Sequence, residues 1–246
     1  MIRDVIQPVI RDVVRGIYGE LNVLDYAPLA WYDAFDAVNQ GVITLNGSDV
    51  ATWDDKSGNG KHIAQATAAD QPAFANNTVS FDGVTEYLFR AESFMYSATN
   101  TVTLFVVMES SAAAGSRMIT ETSSITGAPL YLLLENSTSD TSIIKTTIRN
   151  DASVLISGGV SAVNAFQSGV TKIYSIEDDL SNITTTINGA SEVVTPYTRP
   201  AVPITLNRFG LGGRVIATPD TFADIDVNEI IIFDHALDSS EKAAIN

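Results

Sequence analysis

Apolar and polar positions divide this chain into two unequal parts. From about residue 30 they alternate with a period near two in short β-rich runs, the spacing of strands that bury one face. Strands are expected at 79–82, 86–90, 101–109, 117–122, 129–135, 142–149, 153–157, 171–177, 182–187, 204–211 and 226–233. Turn residues separate them, among them Ala114-Gly115-Ser116, Thr126-Gly127-Ala128-Pro129, Asn150-Asp151 and Asn188-Gly189. Many short strands at this spacing, with no helical stretch between them, argue for an all-β antiparallel sandwich. The runs 103–108 and 229–233 are almost wholly apolar, as central strands covered on both faces would be. Asp238-Ser239-Ser240-Glu241 then reads as the capping box of a short C-terminal helix.

The first 20 residues follow a different period. Ile2, Val5, Ile6, Val9, Ile10, Val13, Val14 and Ile17 fall at helical spacing and form one apolar stripe. Pro8 interrupts it and Gly16 ends it, so two short helical turns or a kinked helix are expected. Asp4, Arg11, Asp12 and Arg15 break the run too often for a secretory h-region. Three Arg against Asp4, Asp12 and Glu20 leave no cationic face for a membrane surface. Two readings stay open: a helix packed on its own domain, or a docking segment that buries the stripe against a partner or sister chains. The second is preferred, which divides the chain into an attachment segment, 1–20, and one sandwich domain, 21–246.

Composition narrows the function. A chain of 246 residues with 45% hydrophobic and 17% charged residues can bury a core as one large β-domain. Fourteen Lys and Arg against 29 Asp and Glu give a net charge of −15, which repels phosphate backbones and argues against nucleic acid. No run of 18 uncharged apolar residues offers a membrane span. There is no cysteine, hence no disulfide or thiolate site, and two histidines exclude a multi-histidine metal centre within one chain.

Three segments carry a family resemblance. They are Trp53-Asp54-Asp55-Lys56-Ser57-Gly58-Asn59-Gly60-Lys61-His62, then Val79-Ser80-Phe81-Asp82-Gly83, then the closing run from Val227 to Leu237 with Asp238-Ser239-Ser240-Glu241 behind it. In this order they resemble the laminin-G-like, concanavalin A-like jelly rolls of bacterial surface proteins and phage virion proteins, over residues 30–246. The resemblance implies a concanavalin A-like jelly roll. It further implies a non-enzymatic phage virion surface protein: a head decoration or fibre, or a tail adhesin, assembled in the host cytoplasm. Its implied partners are other virion proteins through the N-terminal segment, sister chains in a homo-oligomer, and host-surface glycan. The alternative is a secreted or surface carbohydrate-binding module of a bacterium, and a jelly-roll glycoside hydrolase ranks third. As fold signatures, Trp53 is expected in the core beside the strand of Phe81, with Asp55, Ser57 and Asn59 satisfying the turn. Gly58 and Gly60 are expected in left-handed conformations.

Candidate chemistry is sparse. Asp224, Asp226 and Glu229 imitate the carboxylate strand of jelly-roll glycosidases, but in the closing strand and with a shorter first residue, so no enzyme is expected. Among the available aromatics, Tyr96 and Tyr197 lie in loop-like stretches and are the candidates for stacking on sugar. Asp178, Asp179 and Asn182 supply oxygens that a calcium ion could use, although no cofactor is required by the pattern.

Overall fold

A computed structural model describes residues 22–35, 37–97, 99–111, 115–125, 130–136, 143–160, 165–199 and 204–245. The N-terminal stripe from Ile2 to Ile17 lies outside these residues.

Among the described residues seventeen strands pair antiparallel. In the first layer, β15 (Ala190–Pro196), β14 (Asn182–Ile187), β13 (Lys172–Asp178), β8 (Val102–Ser110) and β17 (Asp224–Phe233) lie side by side. Beyond β17, β6 (Thr78–Asp82) pairs with its first half and β1 (Ala30–Asp33) with its second. The second layer runs through β2 (Ile43–Asn46), β3 (Asp49–Trp53), β4 (Ile63–Ala64) and β7 (Leu88–Arg90). It continues through β16 (Arg208–Leu211), β9 (Arg117–Thr122), β10 (Leu130–Asn136), β11 (Ile144–Arg149) and β12 (Leu155–Val160). A short β5 (Ala73–Ala75) pairs with both β3 and β6 and joins the layers.

Alternation along each strand decides what enters the space between layers. Leu104, Val106, Met108, Tyr174 and Ile176 come from one side; Leu88, Phe209, Leu211, Tyr131 and Ile148 come from the other. The apolar runs in β8 and β17 are covered on their second face as well. There Phe105, Ile231 and Phe233 meet Val23 of a 3-10 turn (Val23–Tyr26) and Leu237, with Ile245 of α1 (Ser239–Ile245) packed against them. The capping box forms as expected: the Asp238 carboxylate accepts the amides of Ser240 (2.8 Å) and Glu241 (2.9 Å), while Glu241 accepts that of Asp238 (2.7 Å). Among the described residues no helix is long and apolar enough to cross a membrane.

The first signature turn is a structural knot. Trp53 is fully buried, with its ring edge-on to Tyr32 at 5.9 Å. The Asp55 carboxylate accepts the backbone N–H groups of Trp31 (2.9 Å), Ser57 (2.8 Å) and Lys61 (2.9 Å) together with the Ser57 hydroxyl (2.8 Å). Asn59 donates to the carbonyls of Pro28 (3.0 Å) and Leu29 (3.1 Å). Gly58 and Gly60 hold φ of 88° and 66°, the left-handed region the turn requires. One loop thus fixes the start of β1 to the end of β3.

Six strands were not expected from the sequence: β1 to β5 and β15. In addition, the expected strand at 204–211 shortens to Arg208–Leu211, and that at 226–233 begins earlier, at Asp224.

Candidate functional site

Three of the residues singled out from the sequence converge at one point between the layers. Asp178, at the end of β13, is fully buried. Its carboxylate accepts the Tyr131 hydroxyl from β10 (2.7 Å) and the Leu180 amide (3.0 Å), and also the Tyr197 hydroxyl and the Arg199 guanidinium. Arg199 in turn donates to the Tyr197 oxygen (3.0 Å) and the Ser97 carbonyl, and lies 4.9 Å from the centre of the Tyr96 ring. Tyr96 meets Tyr131 edge-on at 5.2 Å. Four donors on one carboxylate, with a cation among them, make a buried ion pair whose hydrogen-bonding capacity is used up. Burial first, then the Asp178 charge, raises the phenol pKa of both Tyr131 and Tyr197. Burial works against the Arg199 charge, yet Asp178 and the two phenols hold its pKa above the usual value.

Glu121 on β9 positions the loop that carries Tyr96. Fully buried, it accepts the amides of Phe94, Met95 (2.7 Å) and Tyr96 (2.7 Å). Burial raises its carboxyl pKa while these N–H groups pull the other way. The result is a clasp that ties β9, β10, β13 and two loops together. Of Tyr96 and Tyr197 only part of each ring reaches the surface.

The other oxygen-rich residues form turns. Asp179 accepts the amides of Ser181 (2.8 Å) and Asn182 (2.6 Å) and the Asn182 side chain (3.0 Å). Among the described residues no three His, Asp or Glu side chains gather as a metal-holding group. Glu229 accepts the Trp31 indole N–H (3.0 Å), and Lys56 lies over the same ring at 4.3 Å. A shallow groove lined by Leu24, Pro28, Ser57, Asn59 and Asp234 borders the signature turn, where Ser57 and Asn59 already serve the backbone.

An aromatic surface forms on the outer face of the second layer. Leu88 of β7 points inward, so Tyr87 and Phe89 on either side of it point outward. Their ring centres lie 5.9 Å apart, and Phe222 stands 6.1 Å from Tyr87 on the far side. All three rings are partly exposed. The cross-strand neighbours of Phe89 are Ala64 and Gly210, too small to cover it. A loop from Gly212 to Ala223 delivers Phe222. It folds back across β9 and β16, held by Gly212 N–H to the Met118 carbonyl (2.8 Å) and by Arg214 paired with Asp220. It can lie this close because β16 has Gly210 beneath it: a Cβ there would sit 2.6 Å from Val215 Cγ2 and 3.0 Å from the Gly213 carbonyl. Arg208, two residues before Gly210, places its guanidinium 5.8 Å from the Phe89 ring centre and donates to the Ile216 carbonyl (2.7 Å). Tyr87-Leu88-Phe89 carried a signal in the sequence, an aromatic alternation within an expected strand. Phe222 carried none, since only the loop fold brings it near.

No family model matches the chain, and no curated relative matches it. Solved structures do match. Trypanosoma rangeli sialidase aligns over 89% of this chain and 32% of its own, with a TM-score of 0.60 and 14% identity. The NanB sialidase of Streptococcus pneumoniae aligns over 60% of this chain and 24% of its own, with a TM-score of 0.50 and 14% identity. The chain therefore spans about a third or less of the length of these enzymes. Likeness at this identity shows the fold. The protein is an antiparallel β-sandwich of the concanavalin A-like, jelly-roll kind, with a short C-terminal helix.

Proposed function

We propose that this chain is a carbohydrate-binding module that holds glycan on the Tyr87, Phe89 and Phe222 surface and has no hydrolytic chemistry of its own. The observation that carries the reading is a set of three partly exposed rings in contact on one open sheet face. Apolar faces of pyranose rings stack on such surfaces, and polar neighbours orient the hydroxyls. Likeness to a part of two sialidases supports this reading more than it supports a virion ornament, since it concerns proteins named for acting on sugar. Attachment to other virion proteins through residues 1–20 is a separate proposal and rests on the sequence stripe.

A glycan array followed by calorimetry on the pure protein tests the assignment. Binding of at least one glycan is expected, with Phe89→Ala weakening it about tenfold or more while the melting temperature stays within a few degrees, as for a surface aromatic. Release of reducing sugar from a bound glycan would overturn the non-hydrolytic part. Wild-type binding that is indifferent to Phe89→Ala would move the site elsewhere.

A further inference from the structure

Building on the glycan-binding reading, we infer that the aromatic surface takes an acidic sugar, with Arg208 receiving a carboxylate carried on the pyranose. Among the described residues of this strongly acidic protein, six of eleven Lys and Arg side chains are neutralised in ion pairs. Lys56, Lys61, Arg90, Arg199, Arg214 and Lys242 each meet a carboxylate. Among the described residues Arg208 meets none; its one hydrogen bond goes to the Ile216 carbonyl, and its one ring contact is Phe89. A guanidinium has five N–H donors in a planar fork, so most of them remain for a ligand, and the Ile216 contact holds the fork in place. A partly buried cation beside an aromatic face, left without a counter-charge by a chain of net charge −15, is a local exception to the charge pattern. It matches a ligand with one anionic group next to an apolar face. A densely charged polyanion does not fit, because the overall field of the protein repels it.

A second guanidinium, that of Arg149, also meets no carboxylate among the described residues and provides an internal control. The register β16 to β9 to β10 to β11 places Arg208, Thr122, Leu130 and Arg149 in one row on the same face. Arg149 is therefore three strand spacings from Arg208, about 14 Å, and has no ring beside it among the described residues. Loss of general positive charge should affect both positions alike, whereas a carboxylate-binding role belongs to Arg208 alone.

Calorimetric titrations with four probes decide the question: a glucuronate-containing oligosaccharide and its carboxyl-reduced neutral form, and sialyllactose and lactose. At least one acidic member is expected to bind about tenfold or more tighter than its neutral counterpart, the usual size of a charged hydrogen bond, and to weaken in high salt. Which pair shows the effect distinguishes uronate from sialate. Arg208→Gln should bring the acidic form down to the neutral affinity and leave the neutral form unchanged, Arg208→Lys should retain part of the preference, and Arg149→Gln should retain all of it. Equal binding of acidic and neutral forms by the wild type overturns the inference and leaves the glycan-binding reading standing. Equal losses in the Arg208→Gln and Arg149→Gln variants overturn it as well. Failure to bind any of the four while some array glycan binds overturns the inference alone, and failure to bind any glycan at all overturns both.

Discussion

The Tyr131 hydroxyl on β10 donates to the buried Asp178 carboxylate at the end of β13 across 2.7 Å, so one hydrogen bond joins the two layers of the sandwich. Arg199 neutralises the same carboxylate with a side chain only 6% exposed. Removing one member of a buried pair strands the other. Arg199→Met is therefore expected to destabilise the fold by about 3–5 kcal/mol. Tyr131→Phe should cost less, about 1.5–3 kcal/mol for a hydrogen bond to a charged group. Urea unfolding of the two variants and of Asp178→Asn with Arg199→Met measures both. A double variant no worse than Arg199→Met alone is expected, because it leaves no buried charge without its partner.

Buried phenols, two of them in this clasp, set an alkaline limit. Tyr32, Tyr131, Tyr174 and Tyr197 all have phenol pKa values raised above the ordinary phenol value, burial being the first cause of each. A phenol whose folded pKa exceeds its unfolded one contributes stability that is whole below about pH 10 and is lost as pH rises from there through the folded value. Stability should accordingly fall above about pH 10, with these tyrosines ionising together as the chain unfolds. Tyrosinate absorbance and circular dichroism followed against pH should share one transition. Tyrosinates appearing one at a time in a folded protein would contradict the burial that raises them.

Trp53 separates a fold determinant from a ligand contact. It is wholly buried, so Trp53→Ala should cost about 3–5 kcal/mol. Its indole nitrogen has no hydrogen-bond partner among the described residues. Trp53→Phe leaves no polar group stranded and should cost clearly less than the alanine variant. Thermal melts of both, beside Phe89→Ala, give the comparison. An unchanged melt for Trp53→Ala would make the Trp53 to Gly60 turn a surface to reconsider.

How far the sequence reached follows from where each interaction originates. Long strands such as β8 and β17 write their burial into nearly unbroken apolar runs, and the Asp238 cap lies within four residues of its partners, so both are legible. The strands β1 to β5 span two to five residues each, too few to establish a period. The sequence points to Tyr96 and Tyr197 for sugar and to Asp178 for metal; their union through Arg199 depends on contacts across as many as 102 positions. No local pattern encodes such a pairing. Phe222 and Arg208 were invisible for the same reason, as their environment is made by a loop that closes only after the sheet exists.

That loop gives the most demanding prediction, because one missing methyl group connects packing to binding. Gly210 lies under the loop, and a Cβ added there would come within 2.6 Å of Val215 Cγ2 and 3.0 Å of the Gly213 carbonyl. The Val215 methyl is the tighter contact, and both it and the carbonyl are carried by the loop, so the loop must move. Overpacking of this kind costs about 1–3 kcal/mol. As Phe222 travels on the same loop and touches Tyr87 at 6.1 Å, the shift also opens the aromatic surface. Gly210→Ala is therefore expected to lower both the melting temperature and glycan affinity. Removing the offending methyls should restore part of each: Gly210→Ala with Val215→Ala is expected to be less destabilised than the sum of the single changes, a coupling that a double-mutant cycle detects. Affinity should recover in step with that coupling. If Gly210→Ala lowers stability but leaves glycan affinity at the wild-type level, Phe222 is not part of the binding surface and the loop serves the fold alone.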